Sequence, residues 1–556
     1  MIRLTDNQKI KLKNFFQNKK YSSFEKEVEK LGNFDDLPEF LRAGYAGSKV
    51  LNPNSKREDY ILATFILDKI FKQTRSEEIL NNLIVAGIKA EAFSTIIPYL
   101  NEQYEFKKNN KTLLEGLARV HFGLCNMDLC VKFFNQLINL NEESIIDGGR
   151  LTYLASLNYV DSIDQNFYLN ECKKLETSFK KNFTFSEFKK IKKVDKKIKI
   201  GFLSGDLRNH SVSHFLYGLL KKINKEKFSL TALSNLEINR NDVDTVNFKK
   251  IYDNWYDVLD YSDHKLIDFI RSLNLDILID LSGFTYGNRI NVLAARCAPI
   301  QILWLGYNNS LGLNNVDYLI SDPNLIKENE KDLYSEKILL MPKIWNAMSK
   351  PNELPEIEDL PVKNNLIFTF GSFNSFRKIS NRTIKVWAQI LKNTNTRLIL
   401  KNSSGYNIDV YDNVLNKFKK ENVDINQLIF FKRKKNFVDH LKDYNQIDLA
   451  LDTFPYTGVT TSFQSNLMGV PVLTLKGFNF NSRCGESINK NLQLENFIAK
   501  DEDDYVNKAL AFVNKIENLS ELRIKLRKKT LASPLFDMDG FVEDFSNMIT
   551  NLINEA

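Results

Sequence analysis

Three short stretches of the sequence place titratable or anion-binding residues directly after apolar runs, where loops of α/β proteins carry chemistry. His210 follows the run at 198–204 and can act as a base or a hydrogen-bond donor near neutral pH. Lys378 follows the run at 366–372, at a predicted junction of loop and helix where a cation can meet a phosphate. Gly458 follows the run at 447–452. Each stretch is a candidate functional site.

The stretch after Gly458 is the most specific of the three. Gly458 allows a tight turn, and Val459, Thr460 and Thr461 then open a predicted helix whose free N–H groups and hydroxyls can form an anion cradle. It is not a Walker loop, because the GxxxxGK[ST] pattern is absent. Taken singly, each stretch also has an ordinary interpretation: a capped helix start, a solvated Lys378 and a structural His210.

A bound metal is not expected. His210 and His214 are four residues apart and would share one face of a helix, but no HExxH motif or further histidine cluster completes a site. The five cysteines are too few and too scattered for a disulfide framework or a zinc cluster, and they favour a reducing compartment; they lie at 125, 130, 172, 297 and 484.

The elements that position these stretches follow from the apolar pattern after residue 197. Short apolar runs alternate with helical patterns, which predicts parallel sheets covered by helices on both faces. Ligands of such sheets bind beyond the carboxyl ends of the strands. Two successive series of runs predict two Rossmann-like domains facing a cleft; the runs are 198–204, 228–234, 275–282, 300–305, 337–341, 366–372, 397–402, 427–432, 447–452 and 471–475.

The first part of the chain reads as helices only. Residues 113–141 place small and large apolar side chains near the positions of a tetratricopeptide repeat, and 79–100 resembles a degenerate earlier repeat. An ordinary helical bundle is the alternative. We therefore predict an α-helical, tetratricopeptide-like domain over 1–190, an N-terminal Rossmann-like domain over 197–355 and a C-terminal Rossmann-like domain with C-terminal helices over 364–556.

Composition excludes several classes of protein. Hydrophobic residues make up 43% and charged residues 26% of the 556, as in a globular protein. The net charge of +8 is spread over a long chain without any nucleic-acid-binding signature, so no nucleic-acid partner is expected. No run of about 18 apolar residues suggests membrane insertion, and the first residues lack the apolar stretch of a signal peptide. We expect a cytoplasmic protein.

Seven strings, taken together and in order, resemble the O-linked N-acetylglucosamine transferase and SPINDLY family. The resemblance runs from about residue 198 to about residue 507, more than half of the chain. The strings are GDLRNHSVSHF, DILIDLSGFTYGNR, APIQILWLGY, YSEKILLMP, FGSFNSFRKI, LALDTFPYTGVTTSFQSNLMGVPVLTL and SRCGES.

This resemblance implies a GT-B fold and an enzyme that transfers a sugar, with inversion and without a metal or cofactor, from a nucleotide donor to a Ser or Thr hydroxyl of a protein. His210 matches the family's proposed active-site histidine, and Lys378 matches the lysine at the donor diphosphate. Thr460 and Thr461 match the pair that opens the phosphate-binding helix. The other donor-binding residues that we predict are Ser375, His440, Gly458 and Gln464.

Two departures from the family pattern fall in the predicted nucleotide site. Val459 stands where many members have His, and Gln464 stands where many have a carboxylate that is expected to hold the ribose. We expect UDP-N-acetylglucosamine (UDP-GlcNAc) as the donor, with GDP-fucose, as in the SPINDLY branch, as the nearest alternative and a UDP-hexose as the third. A repeat-bearing scaffold with a decayed transferase domain is a further alternative. Because helical repeats often mediate dimers, a homo-oligomer also stays open.

Overall fold

The computed structural model describes residues 4–140, 149–179, 197–403 and 405–555. They divide into two compact units. The first contains Met1–Tyr153 and Asn407–Asn413, and the second contains Leu154–Tyr406 and Val414–Ala556. In the described part of the chain, no helix is long and apolar enough to cross a membrane. The predicted boundary near 190–197 lies almost entirely outside the described residues.

The first unit is helical, as predicted. Consecutive helices pack against one another, and close approach depends on small residues: a side chain at Gly123 would lie 2.1 Å from the ring of Phe93. Asn413 belongs to this unit, since its Nδ2 donates to the carbonyl of Leu124 at 2.8 Å. The helices are α1 (Asp6–Gln17), α2 (Tyr21–Glu29), α3 (Glu39–Leu51), α4 (Arg57–Thr74), α5 (Glu77–Ala90), α6 (Phe93–Phe106), α7 (Lys111–Gly123) and α8 (Met127–Leu140), and α9 (Gly149–Leu157) begins here.

The repeat predicted over 113–141 falls on α7 and α8, except for residue 141, which is outside the described part. The side chains that fit the repeat pattern are buried between the helices; they are Leu117, Ala118, His121, Cys130, Phe134 and Leu137. The degenerate repeat predicted over 79–100 falls on α5 and α6. Tetratricopeptide character itself stays a prediction.

The second unit contains two parallel sheets, and the first of them has seven strands. Its strands run in the order β3-β2-β1-β4-β5-β6-β7, and β1, in the interior of the sheet, is nearly all buried because its apolar run is covered on both faces. The strands are β1 (Ile198–Ser204), β2 (Phe228–Ser234), β3 (Asn254–Asp257), β4 (Ile277–Asp280), β5 (Ile300–Leu303), β6 (Tyr318–Ser321) and β7 (Lys337–Leu340). The helices are α10 (Gln165–Phe179), α11 (Ser211–Lys222), α12 (Val243–Ile251), α13 (Asp263–Ser272) and α14 (Ile290–Ala294).

A six-stranded parallel sheet follows, in the order β10-β9-β8-β11-β12-β13. Its strands are β8 (Thr369–Ser372), β9 (Arg397–Lys401), β10 (Leu428–Phe431), β11 (Leu449–Leu451), β12 (Val472–Leu475) and β13 (Ile498–Ala499). The helices are α15 (Pro361–Asn365), α16 (Asn381–Lys392), α17 (Ile408–Lys420), α18 (Phe437–Lys442), α19 (Thr460–Leu467), α20 (Phe480–Asn491), α21 (Glu502–Asn514), α22 (Ile516–Leu531) and α23 (Met538–Glu555).

Two features of this unit decide where a site can lie. Strand order reverses between β1 and β4 in the first sheet and between β8 and β11 in the second, so the loops after these four strands open into a crevice. The last helix, α23, returns to the first sheet, where Phe545 packs 5.3 Å from the ring of Trp304. The stretches containing His210, Lys378 and Gly458 follow β1, β8 and β11, at those reversal points.

Candidate active site

His210 caps the first helix of the site. Its backbone is extended and its Nδ1 lies 3.4 Å from the backbone N of Val212 and 3.6 Å from a carboxylate oxygen of Asp206. Burial lowers the pKa of His210 below its ordinary value, the carboxylate of Asp206 opposes that shift, and the cations of Arg208 and Arg433 reinforce it. His210 is therefore a neutral imidazole at physiological pH.

Lys378 ends the short 3-10 helix Phe376–Lys378 that follows β8. Its Nζ donates to the carbonyl of Thr457 at 2.7 Å and lies 4.1 Å from the ring centre of Tyr456. Desolvation lowers the pKa of Lys378 to about 8, against the attraction of the carboxylate of Asp452. The ammonium is thus poorly hydrated and holds its charge at neutral pH, which suits it to meet a phosphate.

The side chain of Asp452 is hydrogen-bonded to the loop between β11 and α19. It is not among the site residues predicted from the sequence. Its Oδ1 accepts from the backbone N–H of Gly458 at 2.7 Å and of Thr453 at 3.0 Å, and its Oδ2 accepts from the Thr474 hydroxyl at 2.9 Å. Burial raises the pKa of Asp452 to about 6, which these hydrogen bonds and the charge of Lys378 limit. The carboxylate is ionised at neutral pH and balances the nearby ammonium.

Asn374, which was also not predicted, links the segment after β8, which carries Lys378, to the loop between β11 and α19. Its Nδ2 donates to Asp452 at 3.2 Å, and its Oδ1 accepts from the hydroxyl of Thr461 at 2.6 Å. Val459, at the N-cap of α19, makes no side-chain capping bond. The first turn of α19, with Thr460 and Thr461, therefore presents the positive end of a helix to the crevice.

Gly458 is the point at which this loop has no room for a side chain. A Cβ there would lie 2.7 Å from the hydroxyl oxygen of Ser462 and 2.8 Å from that of Thr461 and from Asn374 Oδ1. Its φ is not in the left-handed region, so the constraint is steric and not conformational.

We expect Gly458→Ala to weaken UDP binding about tenfold, because the displaced Thr461 hydroxyl loses its bond to Asn374 and the cradle opens. Isothermal titration with UDP measures this. Gly47→Ala is the matched control, since its added Cβ meets nothing within 4 Å. Equal UDP affinity for Gly458→Ala and the wild type would show that this loop is not part of the donor site.

His440 and Gln464 form a second pair, on α18 and α19. His440 Nε2 lies 3.0 Å from Gln464 Oε1, and Nδ1 lies 2.6 Å from Nζ of Lys401, which also donates to Asp443 at 2.9 Å. Since an ammonium has only protons to offer, Nδ1 accepts and Nε2–H donates to the amide. Burial and the Lys401 charge lower the pKa of His440 to about 4, so the ring stays neutral.

The structure brings most of the predicted residues together. Asn374 and Asp452 bond to Thr461 and Gly458, and Lys378 bonds to the residue before Gly458. Thr460 precedes Thr461 on the same turn. The carbonyl of Ser375 accepts from the Lys378 backbone N–H at 2.9 Å, which places Ser375 at the start of the lysine turn.

Helix α11, which His210 caps, packs onto α18 and α19. The His214 ring lies 5.2 Å from that of Phe437 on α18, and Phe215 lies 5.2 Å from Phe463 on α19. His214 itself is buried, with its pKa lowered to about 4, which agrees with a structural role. Among the described residues, no group of three or more His, Cys, Asp or Glu side chains is placed to hold a metal.

Two Rossmann-like domains with their reversal points facing one crevice define a GT-B glycosyltransferase fold. Residues 162–364 and 357–545 match the model of "Glycosyl transferase family 41", and the chain belongs to that family. The predicted family and fold class are thus confirmed.

Relatives in plants and one solved structure agree with this assignment. The chain is 32% identical over 363 residues to a probable UDP-N-acetylglucosamine–peptide N-acetylglucosaminyltransferase SPINDLY of Solanum lycopersicum, covering 64% of this chain and 38% of the relative. The SPINDLY protein of Oryza sativa is 30% identical, with 72% and 44% covered. The chain spans about two fifths of these relatives' length. A mutant Thermobaculum terrenum O-GlcNAc transferase shares the fold, with a TM-score of 0.82, 22% identity and coverage of 93% and 98%.

Proposed function

We propose that this protein is a glycosyltransferase that moves N-acetylglucosamine from UDP-GlcNAc to a Ser or Thr hydroxyl of a cytoplasmic protein, with inversion and without a metal. The names of the SPINDLY relatives support the donor and the peptide acceptor. The single observation that carries the proposal is the pairing of the Lys378 ammonium, which donates to the Thr457 carbonyl, with the uncapped start of α19, in a loop that Asp452 and Asn374 hold at the crevice.

This pairing suits the departure of a nucleoside diphosphate. As the bond from the anomeric carbon to the phosphate oxygen breaks, its electron pair leaves on that oxygen. The Lys378 ammonium and the backbone N–H groups at the start of α19 stabilise the growing charge, and both are in place before reaction. A second cation is not required for this role, which is why the proposal includes no metal.

The proton of the acceptor hydroxyl needs a base, and the geometry at His210 favours a donor phosphate oxygen. The capping bond from the Val212 N–H uses the Nδ1 lone pair of His210, so the ring proton resides on Nε2. The ring then offers the crevice a hydrogen-bond donor. We infer that His210 orients the acceptor or the donor, while the new bond to the anomeric carbon forms as the hydroxyl proton passes to phosphate.

The pair of His440 and Gln464 stands where the nucleoside is expected. Gln464 Oε1 accepts from His440, which leaves the Gln464 amide N–H groups to donate to a ribose hydroxyl. This pair is uncharged, whereas a carboxylate in place of Gln464 would carry charge. We infer that the ribose is held by weaker hydrogen bonds than in relatives with a carboxylate.

We expect UDP, and not GDP, to raise the melting temperature. A nucleotide at a hundred times its Kd stabilises the folded chain by about 2.7 kcal/mol. A thermal unfolding scan with each nucleotide measures the difference. Stabilisation by GDP alone would select GDP-fucose as the donor. No stabilisation by either nucleotide would favour a scaffold with a decayed transferase domain.

A further inference from the structure

The segment between α9 and α10 is hydrogen-bonded to both Rossmann-like domains. Asn158 Nδ2 donates to the Tyr307 hydroxyl at 2.7 Å on the first domain, and its Oδ1 accepts from Asn481 Nδ2 at 2.6 Å on the second. Gln165 repeats this arrangement: its Nε2 donates to Asn309 at 2.7 Å, and its Oε1 accepts from Asn479 at 3.0 Å. We call residues 158–165 the connector.

These amides are buried, so their hydrogen bonds do not compete with water. Each amide bonds to both domains, and the oxygen of Asn158 also accepts from Asn309 Nδ2 at 2.7 Å. Replacement of either amide would leave a buried polar partner unpaired. The connector is therefore held in one position relative to the crevice.

Two paths lead from the connector to Lys378. The ring of Tyr159 stacks on that of Tyr456, with centres 5.1 Å apart and planes 15° apart, and the Lys378 ammonium lies on the Tyr456 ring. The second path runs through Asn481, whose carbonyl accepts from the Thr457 hydroxyl at 2.9 Å. The carbonyl of Thr457 is in turn the acceptor of the Lys378 ammonium.

We propose that Tyr159 is a positioning residue for Lys378: by stacking on Tyr456 it closes one side of the lysine's pocket and holds the ammonium toward the donor diphosphate. Tyr159 precedes the residues that match the family model, which begin at 162. Part of the geometry of the site is then set by a residue outside that match. The kinetic part of this inference rests on the proposed function.

The charged and titratable groups that face Lys378 come from three elements. Asp452 follows β11, Cys484 lies on α20, and Tyr456 lies in the loop before α19. Substitution of Tyr159 removes none of these groups and, of the three, touches only Tyr456, whose phenol stays neutral because burial raises its pKa well above its ordinary value. A change in the titration of Lys378 in a Tyr159 variant would therefore report altered solvation of the pocket. Removal of the stacked ring admits water, so the pKa of Lys378 should rise from about 8 toward its ordinary value.

The test is the rate at which an amine-reactive acylating reagent labels Lys378 in the full chain, followed by mass spectrometry from pH 6 to 10. Only the neutral amine reacts. We expect Tyr159→Leu to move the midpoint to higher pH, so that labelling at pH 8 falls about fivefold for a shift of about one unit. Tyr159→Phe keeps the stacked ring and should match the wild type.

Turnover gives a second readout. With UDP-GlcNAc, kcat/KM of Tyr159→Leu should be about tenfold lower at pH 7. Its decline on the alkaline side should begin at higher pH than in the wild type. Tyr159→Phe should restore both. The labelling experiment needs no donor or acceptor, so an error in the proposed substrates would affect turnover and leave the labelling result interpretable.

Tyr261→Leu is the matched control, since Tyr261 also packs on an aromatic ring, that of Phe269 at 5.5 Å, under a lysine ammonium, that of Lys265 at 3.8 Å. It should leave the labelling of Lys378 unchanged. If Tyr159→Leu fails to fold, Tyr159→Gln serves with the same expectation. A Lys378 midpoint that is the same in a folded Tyr159 variant and the wild type overturns the proposal.

Discussion

Lys378→Met should lower turnover about a hundredfold to a thousandfold. The methionine keeps the length and the apolar stem of the side chain and removes the cation. Loss of one charge that acts on the departing diphosphate costs about 3–4 kcal/mol of transition-state stabilisation in a poorly hydrated site. UDP affinity should fall less, since the start of α19 still presents its N–H groups. Steady-state kinetics and titration with UDP separate the two effects.

The matched control is Lys225→Met. Lys225 also donates to a backbone carbonyl at 2.7 Å, that of Ile251, but it lies before β2, at the opposite end of the first sheet from the crevice. Its substitution should leave turnover within about twofold of the wild type. If Lys378→Met turns over within about threefold of the wild type, a barrier change below roughly 0.7 kcal/mol, Lys378 does not act on the leaving group.

Local sequence pattern predicted the buried strands and the loops that follow them. The runs at 198–204 and 228–234 coincide with β1 and β2, because interior parallel strands are apolar on both faces. Two of the three strands that it missed lack that pattern, and the third, β6 (YLIS), is a short apolar run. Strand β3 has the sequence NWYD and lies at a sheet edge with partly exposed residues, and β13 has only two residues. Strand β6 has four residues within an irregular stretch.

The residues of the candidate site were likewise predicted only in part from the sequence. Lys378, Gly458 and Thr461 could be predicted because each lies directly after a strand or at a helix start. Asp452 and Asn374 could not be assigned their roles, since their hydrogen bond joins residues 78 positions apart and depends on the packing of β8 beside β11. One signal was available: Asp452 is a charged residue directly after a buried strand, a position that merits examination in any parallel sheet.

The pairing of His440 with Gln464 shows how the structure changes the interpretation of a departure from the family pattern. In the sequence, Gln464 reads as the loss of a carboxylate. In the structure its oxygen is the acceptor of a neutral histidine that Lys401 holds in one tautomer. A carboxylate at this position would accept from the same Nε2–H and would add a negative charge beside the ring. The amide is thus part of a consistent uncharged pair, which local sequence could not reveal because Lys401 and His440 come from separate elements.

His210→Ala should lower kcat about a hundredfold, whereas His210→Asn should stay within about tenfold of the wild type. Asparagine can cap α11 and still offer a side-chain N–H, so it retains both roles that the tautomer of His210 assigns. Alanine retains neither, and an oriented donor in an active site contributes about 2.7–4 kcal/mol to the barrier. The pH profile of kcat should keep its acidic limb in His210→Asn, because the proton passes to phosphate.

A histidine that acted as general base would behave differently. Asn and Ala would then be equally inactive, since neither accepts a proton near neutral pH, and the acidic limb of the profile would vanish with the imidazole. The loss of a helix cap is controlled by Ser262→Ala, which removes the side-chain acceptor for the Lys265 N–H at the start of α13. That variant should lower stability by about 1 kcal/mol and leave kcat unchanged. Equally low rates for His210→Asn and His210→Ala, with loss of the acidic limb, would therefore assign the proton to His210 and not to the donor phosphate.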